Sequence, residues 1–154
     1  MLTEELKNEI ATHIHGPEHR QSACTEALRI VQKHRGWIDN QSIRDIAEYL
    51  DMTPDELDGV ATFFNLIHRR PVGRNVIRIC SSVSCWVMGY DALRDALLER
   101  LGVALGQTTS DGRFTVIPNQ CLGTCDRAPA LMINGDLHRD IDVSHIDEIL
   151  QRYT

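Results

Sequence analysis

At 154 residues, 42% of them apolar, the chain can build one ordinary domain or two small ones around a buried core. Its 16 basic and 22 acidic residues leave a net charge of −6 with no Lys/Arg block, which argues against nucleic acid and for protein partners. No apolar run approaches the roughly 20 residues of a membrane helix, and the opening MLTEELKNEI is acidic rather than signal-like, so a cytoplasmic protein without direct membrane insertion is expected.

Leu2, Leu6, Ile10 and Ile14 recur every four residues and predict a first helix that Gly16-Pro17 terminates. Ala23, Ala27, Ile30 and Val31 line a second, with Arg29, Lys33 and Arg35 near its C-terminus and Gly36 as its stop. Asp39 or Asn40 can cap a third, which buries Ile43, Ile46, Ala47 and Leu50. Thr53-Pro54-Asp55-Glu56 reads as a capping box with proline at the first helical position, opening a fourth helix whose buried face is Leu57, Val60, Ala61 and Phe64. Residues 1–66 are therefore expected to form a helical module.

The texture changes at residues 69–74, a basic, turn-forming link that places a domain boundary near residue 70. Residues 76–79 are β-prone and run into Cys80. After Cys85, Gly89 and Tyr90 lead into a helix carrying Leu93, Ala96, Leu97 and Leu101, stopped by Gly102. Asp111-Gly112 turns the chain into a strand over 114–117 that Pro118 is expected to end. Asn134-Gly135 predicts a hairpin between 130–133 and 136–139, and Asp142 can cap a last helix with Ile146, Ile149, Leu150 and Tyr153 on one face. The expected class is α/β (α+β), a helical bundle over 1–70 followed over 71–154 by a sheet covered by helices.

Four cysteines organise the second half. Cys80 and Cys85 have four residues between them and Cys121 and Cys125 have three, with 35 separating the pairs, so the fold must bring two loops together. Four thiolates from two loops are what a tetrahedral metal or a small iron–sulfur cluster requires. Five cysteines without a secretory signal make a disulfide framework a poor explanation. Each pair can serve one iron of a [2Fe–2S] cluster, while structural zinc commonly uses tighter C-x-x-C knuckles and thiol exchange needs the C-x-x-C geometry that is absent. His138 and His145 lie beyond the second loop, which disfavours Rieske-type ligation. An anionic cluster asks its loops for donors, and Ser81, Ser82, Ser84, Gly123 and Thr124 supply them; backbone N–H groups beside Gly123 can reach a sulfur and raise the potential. Cys24 falls among apolar residues of a helix and reads as a small buried hydrophobe. No dinucleotide fingerprint, P-loop, nucleophile elbow or paired-carboxylate pattern appears. A zinc-stapled adaptor remains the alternative to an electron carrier.

At residues 59–64 (GVATFF), 71–74 (PVGR), Cys80-x4-Cys85, 111–115 (DGRFT) and 121–125 (CLGTC), the chain resembles the E-subunit family of NADH-quinone oxidoreductase, bacterial respiratory complex I. The resemblance implies a thioredoxin-like [2Fe–2S] ferredoxin domain behind an N-terminal helical, partner-docking domain. It implies cluster ligation by Cys80, Cys85, Cys121 and Cys125, and no independent active site. It further implies electron exchange with the FMN of a flavoprotein partner that binds NADH, in the peripheral arm of an inner-membrane complex. Similar proteins serve NAD-dependent formate dehydrogenases and hydrogenases. At Phe64 the family often has tyrosine, so a hydroxyl is missing here.

Overall fold

Thr3 accepts a hydrogen bond from the Leu6 N–H and opens helix α1, Glu4–Ala11, with Glu4 and Glu5 in its first turn, where carboxylates suit the helix dipole. These features belong to a computed structural model that describes residues 1–153, divided into two compact units, Met1–Pro71 and Val72–Thr154. The helix ends one turn before Gly16, because Thr12 caps it and donates its hydroxyl to the Glu9 carbonyl at 2.7 Å. Ile14 therefore leaves the predicted stripe but still packs, half-buried, on the helical core.

A 3-10 stretch, Pro17–Ala23, leads into α2, Cys24–Arg35, which Gly36 terminates at φ +84, a conformation open to glycine at little cost. Asp39, rather than Asn40, caps α3, Asn40–Leu50, by accepting from the Ser42 N–H at 2.6 Å. The capping box forms as the spacing predicts: Thr53 Oγ1 accepts from the Glu56 N–H, and Glu56 accepts from the Thr53 N–H, at the start of α4, Pro54–Phe63. Ile10, Leu28, Val31, Ile38, Ile46, Leu50 and Leu57 are fully enclosed in the core of this bundle. The predicted buried face of α4 is only half right. Leu57 and Ala61 are buried, but the chain turns extended at Phe64, which is 41% exposed beside Phe63 at 81%.

The second unit begins with β1, Asn75–Cys80, all six of whose residues are buried. A short helix, α5 (Val83–Val87), and a longer one, α6 (Tyr90–Leu101), lead to β2, Phe114–Asn119, which pairs parallel with β1. Strands β3, Leu131–Ile133, and β4, Asp136–His138, form an antiparallel hairpin around Asn134-Gly135, and β3 pairs antiparallel with β1. The sheet order is β2-β1-β3-β4. Pro118 does not end β2: it stays in register opposite Ile79, tolerated because β2 is an edge strand with no neighbour on its outer side to miss a donor. Asp142 caps a 3-10 turn that runs into α7, Ile146–Gln151.

Period-two alternation sends Ile77, Ile79, Phe114, Val116, Leu131 and Ile133 to one face of the sheet, where Leu93 and Leu97 of α6 and Ile146, Ile149 and Leu150 of α7 cover them. Tyr153 lies beyond α7, and its hydroxyl stands 2.7 Å from the His138 ring. The α/β class read from the sequence, helices first and then a mixed sheet covered by helices, is the class observed.

Candidate metal centre

The parallel register of β1 and β2 explains how two distant loops meet. Cys80 ends β1 opposite Asn119 of β2, so the chain that leaves β2 delivers Cys121 two residues beyond the rung that Cys80 occupies. Ser81 locks this junction, donating from its N–H and its hydroxyl to the Asn119 carbonyl at 2.9 and 3.0 Å. Ala130 ties in from the other side: its carbonyl accepts from the Cys80 N–H at 3.1 Å and its backbone also hydrogen-bonds the Cys85 sulfur. Cys85 sits within α5, not on an open loop as its spacing from Cys80 suggested. Five residues are too few for helical periodicity to show in sequence.

The four thiols fall into two pairs of different character. Cys80 and Cys85 are buried, at 2% and 1% exposure, whereas Cys121 and Cys125 are exposed with their sulfurs 3.3 Å apart. Burial pushes the Cys85 thiol up to about 11, assisted by its hydrogen bond with Cys80. The Gly123 N–H, 3.3 Å from the Cys121 sulfur, holds that thiol below its ordinary range, with further hydrogen bonds from Cys125 and Ser82. Cys125 is raised because it shares a proton with Cys121, while Ser84 opposes the rise. The charge of Cys125 acts on both Cys80 and Cys85, so the pairs share one field. Among the described residues, no group of three or more His, Cys, Asp or Glu side chains is arranged to hold a metal ion; the donors stand as two pairs.

Sequence-predicted donors take their places here. Ser82 and Ser84 hydrogen-bond Cys121 and Cys125, Gly123 adopts φ +80 and donates its N–H, and Thr124 is buried beside Cys125. Arg127 is engaged by Asp140, Nε to Oδ2 at 2.6 Å, so its charge is compensated. Asn119, Ala130 and Asp140 were not anticipated. The first two act through backbone atoms that no side-chain pattern reveals, and the third belongs to a loop fixed only by the fold. The remaining thiol, Cys24, starts α2 and is half-buried at the edge of the helical core.

A family model described as thioredoxin-like [2Fe-2S] ferredoxin matches residues 7–154. The chain belongs to this family. Among curated ferredoxin relatives, the NADH-quinone oxidoreductase E-subunit of Pseudomonas aeruginosa is 43% identical over 99% of this chain and 92% of its own length. Its Escherichia coli K12 counterpart is 46% identical over 94% of this chain and 87% of its own. Among solved structures, an NAD+-reducing [NiFe]-hydrogenase in its air-oxidised state aligns with a TM-score of 0.70 at 27% identity, covering 81% of this chain. The ferredoxin spans 22% of that hydrogenase chain.

The donor set fits the family's cluster. Four soft sulfur donors converge from two loops, a backbone N–H already rests on one sulfur, and the Thr124 hydroxyl is a buried donor with no partner in the chain. No helix among the described residues is long and apolar enough to cross a membrane.

Proposed function

We propose that this ferredoxin holds one [2Fe–2S] cluster on Cys80, Cys85, Cys121 and Cys125 and acts as the electron-transfer subunit of an NADH-quinone oxidoreductase. In this reading it exchanges electrons with the FMN of the NADH-binding flavoprotein partner, within the peripheral arm of an inner-membrane complex. The observation that carries the proposal is the convergence of the four thiols at the ends of β1 and β2, with the Cys121 and Cys125 sulfurs 3.3 Å apart.

When bound, the cluster supplies a one-electron store. The residues of the chain do the rest. Cys80 and Cys85 form a dry inner wall, where ligand thiolates are shielded from water. Cys121 and Cys125 form an exposed outer wall, the side from which an electron can arrive or leave with little intervening protein. The Gly123 N–H and the Ser82 and Ser84 hydroxyls stabilise negative charge on sulfur. NADH and FMN belong to the partner, since the chain lacks a dinucleotide fingerprint.

Two tests separate this reading from its rivals. Iron and acid-labile sulfide should each approach two per chain after anaerobic reconstitution, with an EPR signal on reduction; stoichiometric zinc in a colourless protein would instead favour an adaptor. Purification from the native host should bring down an NADH-oxidising flavoprotein together with quinone-reducing activity. The fold likeness to the hydrogenase supports a second reading, the equivalent component of an NAD-linked hydrogenase or formate dehydrogenase. Identities of 43% and 46% to the NADH-quinone oxidoreductase relatives against 27% to the hydrogenase favour the first.

A further inference from the structure

Thr124 stands between the two exposed cysteines yet is only 6% exposed itself, and its Oγ1 is buried with no hydrogen-bond partner. A buried hydroxyl left unpaired destabilises a fold, so its persistence calls for an acceptor outside the chain's own inventory. The neighbouring donors are already committed. Ser81 donates to Asn119, Ser82 and Ser84 meet Cys121 and Cys125, the Gly123 N–H meets Cys121, and the Arg127 guanidinium is held by Asp140. Thr124 is the side-chain donor of the second ligand loop that remains unspent, and the thiols on either side of it in sequence are the proposed ligands.

We propose that the Thr124 hydroxyl donates a hydrogen bond to a sulfur of the bound cluster and thereby raises its reduction potential. This inference rests on the proposed cluster ligation and assigns to Thr124 a role in tuning it. The physical reason is charge. One-electron reduction adds negative charge to a centre already made anionic by four thiolates, so a donor stabilises the reduced form more than the oxidised form. Valine has nearly the shape of threonine without the hydroxyl, so Thr124→Val removes the donor while filling the same space.

The experiment compares wild type, Thr124→Val and Thr124→Ser in the full chain, both metal-free and reconstituted with iron and sulfide. Potentials are read by EPR-monitored redox titration. Thr124→Val is expected to shift the reduced-to-oxidised ratio at a fixed potential about tenfold toward oxidised, equivalent to about 59 mV for one electron, while Thr124→Ser stays near wild type. In the metal-free chain, Thr124→Val is expected to melt no lower than wild type, because the hydroxyl it removes was unpaired. An unchanged potential in Thr124→Val, or an equal shift in Thr124→Ser, overturns the proposal. A lower melting point of metal-free Thr124→Val also overturns it, by showing that the hydroxyl has a structural partner, and this arm holds even if the variant takes up no cluster. Failure of the wild type itself to form an EPR-active cluster is a different result, which removes the proposed function instead.

Discussion

Cys80 and Asn119 face each other on the last rung of the parallel β1–β2 ladder, and Ser81 fastens the rung by donating twice to the Asn119 carbonyl. This pairing turns a separation of 35 residues in sequence into adjacency in space. In a parallel pair, both strands end on the same side, so the loops that follow them are neighbours by construction. The hairpin adds a third support, because Ala130, just ahead of β3, binds Cys80 and Cys85 through its backbone. The candidate site is thus assembled by sheet register rather than by a local cysteine knuckle.

If the four thiols are ligands, each is needed and Cys24 is not. Single alanine replacements of Cys80, Cys85, Cys121 or Cys125 should reduce iron per chain from about two to well below one, since an iron left with three donors is readily lost. Cys24→Ala should load like wild type, because that thiol lies at the edge of the helical core. Iron and sulfide assays with the visible spectrum decide the point. Full loading of any of the four variants would remove that residue from the ligand set.

The two thiol pairs should also differ in metal-free reactivity. Thiolate is the nucleophile. The Gly123 N–H holds Cys121 below the ordinary thiol range, so its reactive form extends to lower pH, whereas burial pushes Cys85 up to about 11 and keeps it protonated at neutral pH. Limited alkylation of the metal-free chain near pH 7, followed by peptide mass spectrometry, is expected to label Cys121 first and Cys85 last. The contrast should narrow as pH rises toward 11. Equal labelling of the two at neutral pH would contradict the arrangement.

Much of this was legible in the sequence, and the parts that were not share a cause. The Thr53–Glu56 capping box, the Gly36 and Gly102 stops and the Asn134-Gly135 hairpin are local signals, carried by residues within a few positions of one another, and they form as read. The readings at Ile14, Phe64, Pro118 and Cys85 needed tertiary information. Thr12 stops α1 before Ile14, and Phe64 sits just past the end of α4, where the stripe no longer applies. Pro118 survives in β2 only because that strand is an edge. Cysteine spacing revealed which thiols to watch, but the division into a buried and an exposed pair depends on where β1 ends and α5 begins.

Asp39 offers a test of local structure with a defined pH dependence. Its carboxylate accepts from the Ser42 N–H, and that bond holds its pKa below the usual 3.8. A lowered folded-state pKa means the contribution is fully present above the unfolded value and is lost as pH falls through the folded one. Asp39→Ala should cost about 1 kcal/mol at neutral pH, the usual worth of an N-cap. The gap between variant and wild type in urea denaturation should close at pH values below 3.8. A difference that persists undiminished in acid would assign the effect to something other than the charged cap.

Gly73 is fixed by space rather than by turn geometry. A Cβ there would meet the Phe114 backbone N and C at 2.9 Å, and the Gly73 N–H donates to Thr115 Oγ1 at 2.7 Å. Relief would require moving main chain at the start of β2, so Gly73→Ala should destabilise the second unit by roughly 1–3 kcal/mol, the range for overpacked sites. Thermal unfolding measures this directly. A melting temperature equal to wild type would mean that the Gly73 segment can retreat from β2.

The two units are proposed to divide the labour, with the helical one docking the flavoprotein and the other holding the cluster. Each has its own buried core, centred on Leu28, Ile46 and Leu57 in the first and on Ile77, Ile79 and Leu97 in the second, which is the condition for independent folding. All four candidate ligands fall within Val72–Thr154. A chain lacking residues 1–71 should therefore still take up iron and sulfide and give a reducible [2Fe–2S] spectrum. The first unit leaves Phe63, Phe64 and Leu66 exposed, an apolar group suited to burial against another protein. The truncated chain is expected to lose co-purification with the NADH-oxidising partner, and Phe63→Ser in the full chain should weaken it while leaving the spectrum unchanged. Retention of the partner by the truncated chain would transfer the docking role to the cluster-bearing unit.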